Sequence, residues 1–219
     1  MYAKLLHRHR IHWSNAQART ASILSVFAFA ASLVVQYYSI VFATARVSNP
    51  VTDLILSNIP VVDVDGIYVY GLFFLVAFIS LLCLSHPKRM PFILYSLALF
   101  IVIRSVFVVL THLAPYPIPP QTDFGTTMSK IFFGGDLFFS GHTGVPFLIA
   151  LIYWKEKGLR NIFLMLSVFF GGVVLLGHLH YSIDVLAAFF ITYTIFHIAE
   201  WLFPSERALF LSDPIAPAH

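Results

Sequence analysis

Polar and apolar positions in this chain fall into long blocks and do not alternate. Continuous apolar runs cover residues 20–43, 67–85, 91–111, 137–154, 161–177 and 181–203, and polar residues collect between them. About 20 apolar residues make a membrane-crossing helix, whereas strands of a membrane barrel alternate and are about half that length. The pattern predicts an all-α membrane protein with one domain over residues 1–219, a bundle of six transmembrane helices. A basic arm at 1–19 and a tail at 204–219 flank the bundle. The fourth run is short: from Thr143 to Trp154 a helix rises only about 18 Å against a hydrocarbon core of about 30 Å, which predicts that its first residues sit recessed below the surface.

Composition agrees with the pattern. Of 219 residues, 59% are hydrophobic and 11% charged, and 23 are Phe, more than a soluble core of this size needs. Charge then orients the bundle. Lys4, Arg8, Arg10 and Arg19 precede the first run, Lys88 and Arg89 lie between the second and third, Lys155, Lys157 and Arg160 between the fourth and fifth, and Arg207 lies in the tail. The opposite loops hold only Arg46 and Lys130, and Arg104 is inside the third run. Basic residues stay cytosolic, so both termini are expected in the cytosol. These residues also explain the sequence pI of about 9.0 without any nucleic-acid partner. Ala43-Thr44-Ala45 has the look of a signal-cleavage site, but the run before it exceeds a signal core, so an uncleaved anchor is expected. The single Cys83 allows no disulfide within the chain.

With that topology, His142, His180 and Asp184 reach one exoplasmic or lumenal face. Ionisable groups at membrane depth are expensive and usually mark function. If the sixth helix begins near Leu179, His180 and Asp184 lie one turn apart, so the carboxylate holds one imidazole nitrogen and leaves the other free as nucleophile or base. The small Ser140 and Gly141 let backbone N–H groups at a helix start approach an anion closely. Two histidines on opposite sides of a phosphorus atom permit in-line displacement through phosphohistidine. The recessed depth of His142 suits a lipid headgroup. A zinc site built from His142, His178, His180 and Asp184 is the alternative use of the same residue types.

Two segments carry a specific likeness. Gly135-Asp136-Leu137-Phe138-Phe139-Ser140-Gly141-His142-Thr143 and His178-Leu179-His180-Tyr181-Ser182-Ile183-Asp184 resemble the sphingomyelin synthase family, as does Arg104 followed by Leu113-Ala114-Pro115-Tyr116-Pro117. The likeness spans roughly residues 104–196. It extends to the wider lipid phosphate phosphatase, or PAP2-like, superfamily, with departures. No Arg-Pro pair occurs, Phe139 replaces a Pro before Ser140, and Val173 and Val174 stand where a phosphatase has Ser-Arg.

The resemblance implies a phosphotransferase without metal or other cofactor. His180 would attack a phospholipid donor, phosphatidylcholine or phosphatidylethanolamine, and His142 would protonate the departing diacylglycerol. Ceramide or another lipid alcohol such as diacylglycerol would then take the headgroup, with Asp184 ionised throughout. Arg104 is expected either to hold phosphate or to act as a structural cation paired with Asp136 or a backbone carbonyl, and Tyr181 and His178 to support the substrate pocket. The alternative is a hydrolase of lipid phosphates or phospholipids at the same His-His-Asp site, with water as acceptor. A non-catalytic lipid-binding scaffold is a third class.

Smaller expectations complete the reading. His7, His9 and His12 are expected against anionic lipid headgroups. Residues 51–59, in an outer loop that carries Asp53, Asp63 and Asp65, are expected as a short interfacial helix that caps the headgroup site or as a plain solvated connector, and Trp154 and Trp201 as part of an aromatic belt. A homo-oligomer is compatible with the sequence. A plasma, inner or Golgi-type membrane fits the charge pattern equally.

Overall fold

The computed structural model describes residues 2–117 and 137–213. Its helices are α1 (Tyr2–Ser14), α2 (Ala16–Thr44), α3 (Asp65–Ser85), α4 (Met90–Thr111), α5 (Gly141–Ile152), α6 (Lys157–Leu176), α7 (Ser182–Leu202) and α8 (Pro204–Leu211). Among them, α2, α3, α4, α6 and α7 are long and apolar enough to cross a membrane, and α5 is a shorter apolar helix. Large apolar side chains such as Phe27, Phe74, Leu110, Phe190 and Trp201 cover the outside. A surface of that kind suits lipid and not water.

Local chemistry starts and stops the helices. Asn15 caps α2, its Oδ1 accepting from the Ala18 N–H at 3.0 Å. Pro91 and Pro204 sit in the first turns of α4 and α8, where a missing N–H is harmless. α4 ends on His112 in the left-handed conformation, φ 45°.

The fourth run folds as 12 helical residues, not the 137–154 expected. Its leading residues are taken by tertiary bonds: the Phe139 carbonyl accepts from Arg104 Nε at 2.8 Å, and the Ser140 N–H donates to the Asp184 carbonyl at 3.2 Å. A backbone committed in this way cannot extend the helix. Nine of the 12 residues of α5 are buried, and it packs on α6 and α7 as the centre of the bundle. Gly144 permits the approach, since a Cβ there would lie 2.7 Å from the Phe100 ring and 2.9 Å from Thr192 Oγ1.

α2 packs along α4 through buried Ala18, Ser22, Ser25, Ser32, Ser39 and Ala43. Helices in lipid associate by close packing, which small residues allow. The hydroxyls of Ser25, Ser32 and Ser39 bond back to carbonyls of α2 at 2.7–2.8 Å, so the stripe leaves them satisfied. By contrast, α3 touches α4 and α6 sparsely and α2 hardly at all.

Successive helices run up and down. The Ser48 N–H donates to the His112 carbonyl and the Val62 N–H to the Leu176 carbonyl, both at 2.9 Å, which gathers the ends of α2, α4 and α6 with the starts of α3, α5 and α7. The opposite end carries α1, α8 and the basic residues Arg8, Arg19, Lys88, Arg89, Lys157, Arg160 and Arg207.

Two peripheral expectations are corrected. His12 turns inward, buried and bonded to Ser22 Oγ at 2.8 Å, while the partly exposed His9 donates through Nε2 to the Leu84 carbonyl at 2.7 Å. Residues 51–59 form only a 3-10 turn at Leu56–Asn58 and are not a free connector, for reasons given with the site.

Candidate active site

His180 lies just before α7, whose N-cap is Tyr181. The predicted pairing holds although the helix starts three residues later than expected, at Ser182. His180 Nδ1 donates to Asp184 Oδ2 at 3.3 Å across the helix start, and the same oxygen accepts from the Tyr181 N–H at 3.0 Å. A carboxylate in a first helical turn is favoured by the helix dipole and the exposed N–H groups. Asp184 is fully buried, and its Oδ1 has no hydrogen-bond partner among the described residues. With Nδ1 engaged by the carboxylate, Nε2 is the imidazole nitrogen left without a protein hydrogen bond among the described residues.

His142 comes from the first turn of α5. Its Nε2 donates to the Tyr68 carbonyl at 3.2 Å, which leaves Nδ1 to exchange a proton. The ring stacks on Tyr68 with centroids 3.9 Å apart and meets the Phe170 edge at 5.8 Å. Ser140 is the N-cap of α5, its Oγ accepting from the Thr143 N–H at 3.4 Å. Because the Ser140 N–H is spent on Asp184, the N–H groups left for an anion are those of Gly141 and His142. The same Ser140 bond ties the segment before α5 to the start of α7, which brings the two histidine motifs together.

Arg104 is buried in α4, with Nε on the Phe139 carbonyl and the guanidinium 3.6 Å from where a Gly141 Cβ would sit. It thus braces the loop before α5 and still lines the cavity described below. Its expected partner Asp136 lies outside the described residues. Tyr181 serves the backbone: its hydroxyl donates to the Ala114 carbonyl at 2.9 Å and accepts from the Val51 N–H at 3.3 Å. Burial raises the Tyr181 pKa, so the hydroxyl stays a donor. His178 is buried at φ 51° against the edge of Tyr116, centroids 5.2 Å apart, without a hydrogen bond among the described residues. Among those residues no three His, Cys, Asp or Glu side chains converge as a metal-binding group.

The sequence places Asp53 in the outer loop but gives it no role of its own. Its Oδ2 accepts from the Ser182 N–H at 2.7 Å and Ser182 Oγ at 2.8 Å, while Oδ1 accepts from the Ile55 and Leu56 N–H groups at 2.9 and 3.1 Å. Burial alone would raise its pKa, but these donors outweigh it and hold the carboxyl below its ordinary range. Asp53 thereby straps the 51–59 segment to the start of α7. The available signal was that it is the first acidic residue of the chain.

His142, His180, Arg104 and Gly141 open on one cavity of about 680 Å³. Away from them its wall is nearly all apolar: Phe29 and Leu33 of α2, Leu75 and Ile79 of α3, Leu97 and Ile101 of α4, down to Cys83 and Met90. On α4 alone the lining runs from Met90 to Arg104, a rise of about 21 Å. The poor contact between α2 and α3 leaves its side thinly covered.

Residues 134–201, which contain His142, His180 and Asp184, match a family model described as PAP2 superfamily C-terminal. No curated protein and no solved structure matches the chain. A PAP2 superfamily C-terminal domain is thus found at 134–201, and with five helices fit to cross a membrane it indicates a lipid enzyme of the phosphatase or phosphotransferase kind in an integral membrane protein.

Proposed function

We propose that this protein is a lipid headgroup phosphotransferase of the sphingomyelin synthase type, moving a phospho-headgroup from a glycerophospholipid to ceramide or another lipid alcohol. The observation that carries the reading is the cavity: His180 and His142 stand at one end of an apolar space whose 21 Å depth exceeds the roughly 15 Å of one leaflet's hydrocarbon. Such a space admits acyl chains and excludes water, which favours an alcohol as acceptor. The arrangement of six spans, α5 being the short one, has both termini in the cytosol and the histidines at the exoplasmic or lumenal side. The basic residues gathered at the opposite end support this orientation.

The chemistry follows from the two imidazoles. His180 Nε2, freed by the Asp184 bond to Nδ1, attacks the donor phosphorus, and the phosphorus–oxygen bond to diacylglycerol breaks as His142 gives a proton from Nδ1 to the departing oxygen. Neutral His142 then takes the proton of the acceptor hydroxyl. The new alkoxide attacks phosphorus, and the phosphorus–nitrogen bond to His180 breaks. Asp184 stays ionised and supports the positive charge passing through His180. Arg104 and the first-turn N–H groups of α5 face the phosphate oxygens.

The test uses purified protein with headgroup-labelled phosphatidylcholine and phosphatidylethanolamine, with and without ceramide, beside the His180→Ala variant. Labelled sphingolipid formed only with ceramide and lost in the variant is the expected result. His180-dependent release of water-soluble phosphocholine or phosphoethanolamine regardless of ceramide would replace this reading with a hydrolase.

A further inference from the structure

The face of α2 turned toward α4 repeats at steps of four and three residues: Ala18, Ser22, Ser25, Phe29, Ser32, Gln36, Ser39 and Ala43. Only Phe29 and Gln36 are large, and these two line the cavity together with Leu33 and Ile40. Phe29 suits an apolar wall. Gln36 does not, because its carboxamide carries two N–H donors and an acceptor oxygen, and leaving them unmatched beside lipid chains is costly. Among the described residues Gln36 makes no hydrogen bond, and its side chain is half-buried. A polar side chain held at membrane depth without a partner among the described residues points to a ligand.

Its depth is informative. α2 and α4 run parallel with their ends tied by the Ser48–His112 bond. Gln36 lies eight residues before Thr44 and Arg104 seven before Thr111, so at 1.5 Å per residue they sit about 12 and 10 Å below the helix ends. Gln36 therefore faces the cavity at the level of Arg104, while the chain-holding portion continues below toward Cys83 and Met90.

We propose that Gln36 is the recognition residue for the amide linkage of an N-acyl lipid alcohol, the acceptor in the transfer reaction. The inference rests on the proposed function for the reaction and adds the side chain that selects the acceptor. A secondary amide offers one N–H and one carbonyl, which satisfy both halves of the carboxamide; the ester linkages of a diacylglycerol offer acceptors only, and with its one hydroxyl placed at the histidines the Gln36 oxygen is left unmatched. In a ceramide the amide nitrogen sits on the carbon next to the one bearing the primary hydroxyl. Holding that amide at the level of Arg104 keeps the hydroxyl beside the histidines and directs the chains downward. Unmatched polar groups discriminate more strongly than apolar fit does, so one such residue suffices for a preference.

The test measures binding apart from turnover. Short-chain ceramide and a diacylglycerol of equal chain length are titrated into the full protein in detergent micelles, with lipid-induced thermal stabilisation as readout, for the native chain and for Gln36→Leu. The native chain is expected to bind ceramide more tightly than diacylglycerol. The variant should lose about tenfold in ceramide affinity, the worth of one hydrogen-bonded pair, and keep its diacylglycerol affinity, which also shows that it is folded. An N-methylated ceramide should bind the native chain as weakly as ceramide binds the variant. Equal weakening for both lipids, or none, overturns the proposal. Headgroup transfer measured on the same native preparation decides the reaction separately: absence of transfer would sink the proposed function, while the binding comparison would still decide Gln36.

Discussion

The two ends of the bundle both bury charge, and they do so in opposite ways. At the end away from the histidines, Arg89 is 1% exposed, and protein groups surround its guanidinium: Nε and a terminal nitrogen donate to the Asp213 carbonyl, the other terminal nitrogen is ion-paired with Glu156 Oε1 at 2.5 Å, and the guanidinium carbon lies 4.6 Å from the Phe210 ring centre. Arg207 beside it pairs with Glu200 at 3.0 Å, donates to the Ile152 carbonyl at 3.1 Å and stacks near Phe92, Phe196 and Phe210. The catalytic candidates are less complete. Asp184 Oδ1 is unmatched among the described residues, and His142 and His180 each have one nitrogen bonded and line the cavity. Matched buried charge fixes a structure, whereas unmatched charge beside an apolar space waits for a ligand.

Substitutions should separate these roles. His180→Ala is expected to reduce headgroup transfer at least about a thousandfold while the unfolding temperature in detergent barely moves, since it removes the proposed nucleophile and little packing. Asp184→Asn should cost about a hundredfold or more in turnover, because the amide no longer supports charge on His180. Normal turnover in that variant would put the Asp184 pair on the structural side of the comparison.

Arg89→Met should do the reverse. It strands Glu156 and the Asp213 carbonyl, so a loss of roughly 3 kcal/mol in stability is expected, with turnover per folded molecule unchanged. Tyr181→Phe is intermediate. It deletes the bonds to Ala114 and Val51, about 1 kcal/mol of stability, and loosens the segments around the site, with a loss in turnover below about tenfold.

The smallest expected effect is on pH. Burial holds the His86 pKa below its ordinary value of 6.5 despite the Asp213 carboxylate, with Arg8 and Arg89 opposing the proton as well. Neutral His86 donates through Nδ1 to Asp213 at 3.1 Å and accepts from Arg8 at 3.2 Å. The unfolded chain therefore takes up this proton first, so stability is full above about pH 6.5 and falls as the pH drops below it. In thermal unfolding at a series of pH values, His86→Gln should show a shallower acid slope. Some slope should persist, because the His12 pKa is also lowered, chiefly by burial.

The legible parts of the sequence share a physical basis. The five apolar runs that became membrane-length helices, the separation of basic residues to one end and the pairing of His180 with Asp184 depend on neighbours in the chain or on the length of a run. Each therefore survives translation into three dimensions. What escaped depended on distant contacts. The Asp53 strap joins residues 129 positions apart, and Tyr68, which cradles His142, lies 74 positions away. The shortening of α5 has the same origin, since Arg104 and Asp184 claim backbone groups that a helix would have used.

Gln36 shows the division most clearly. In the sequence it is one polar residue in an apolar run, without a motif around it. Its importance comes from α2 lying parallel to α4 and from α3 standing away from both, which opens the cavity beside it. The sequence by itself determined that this chain is apolar enough for a membrane and carries a His-His-Asp set, because composition and short spacings decide those. Only the tertiary structure decided which carbonyl holds His142, what anchors Arg104 and where the apolar cavity lies, because helix packing and long-range hydrogen bonds set those positions.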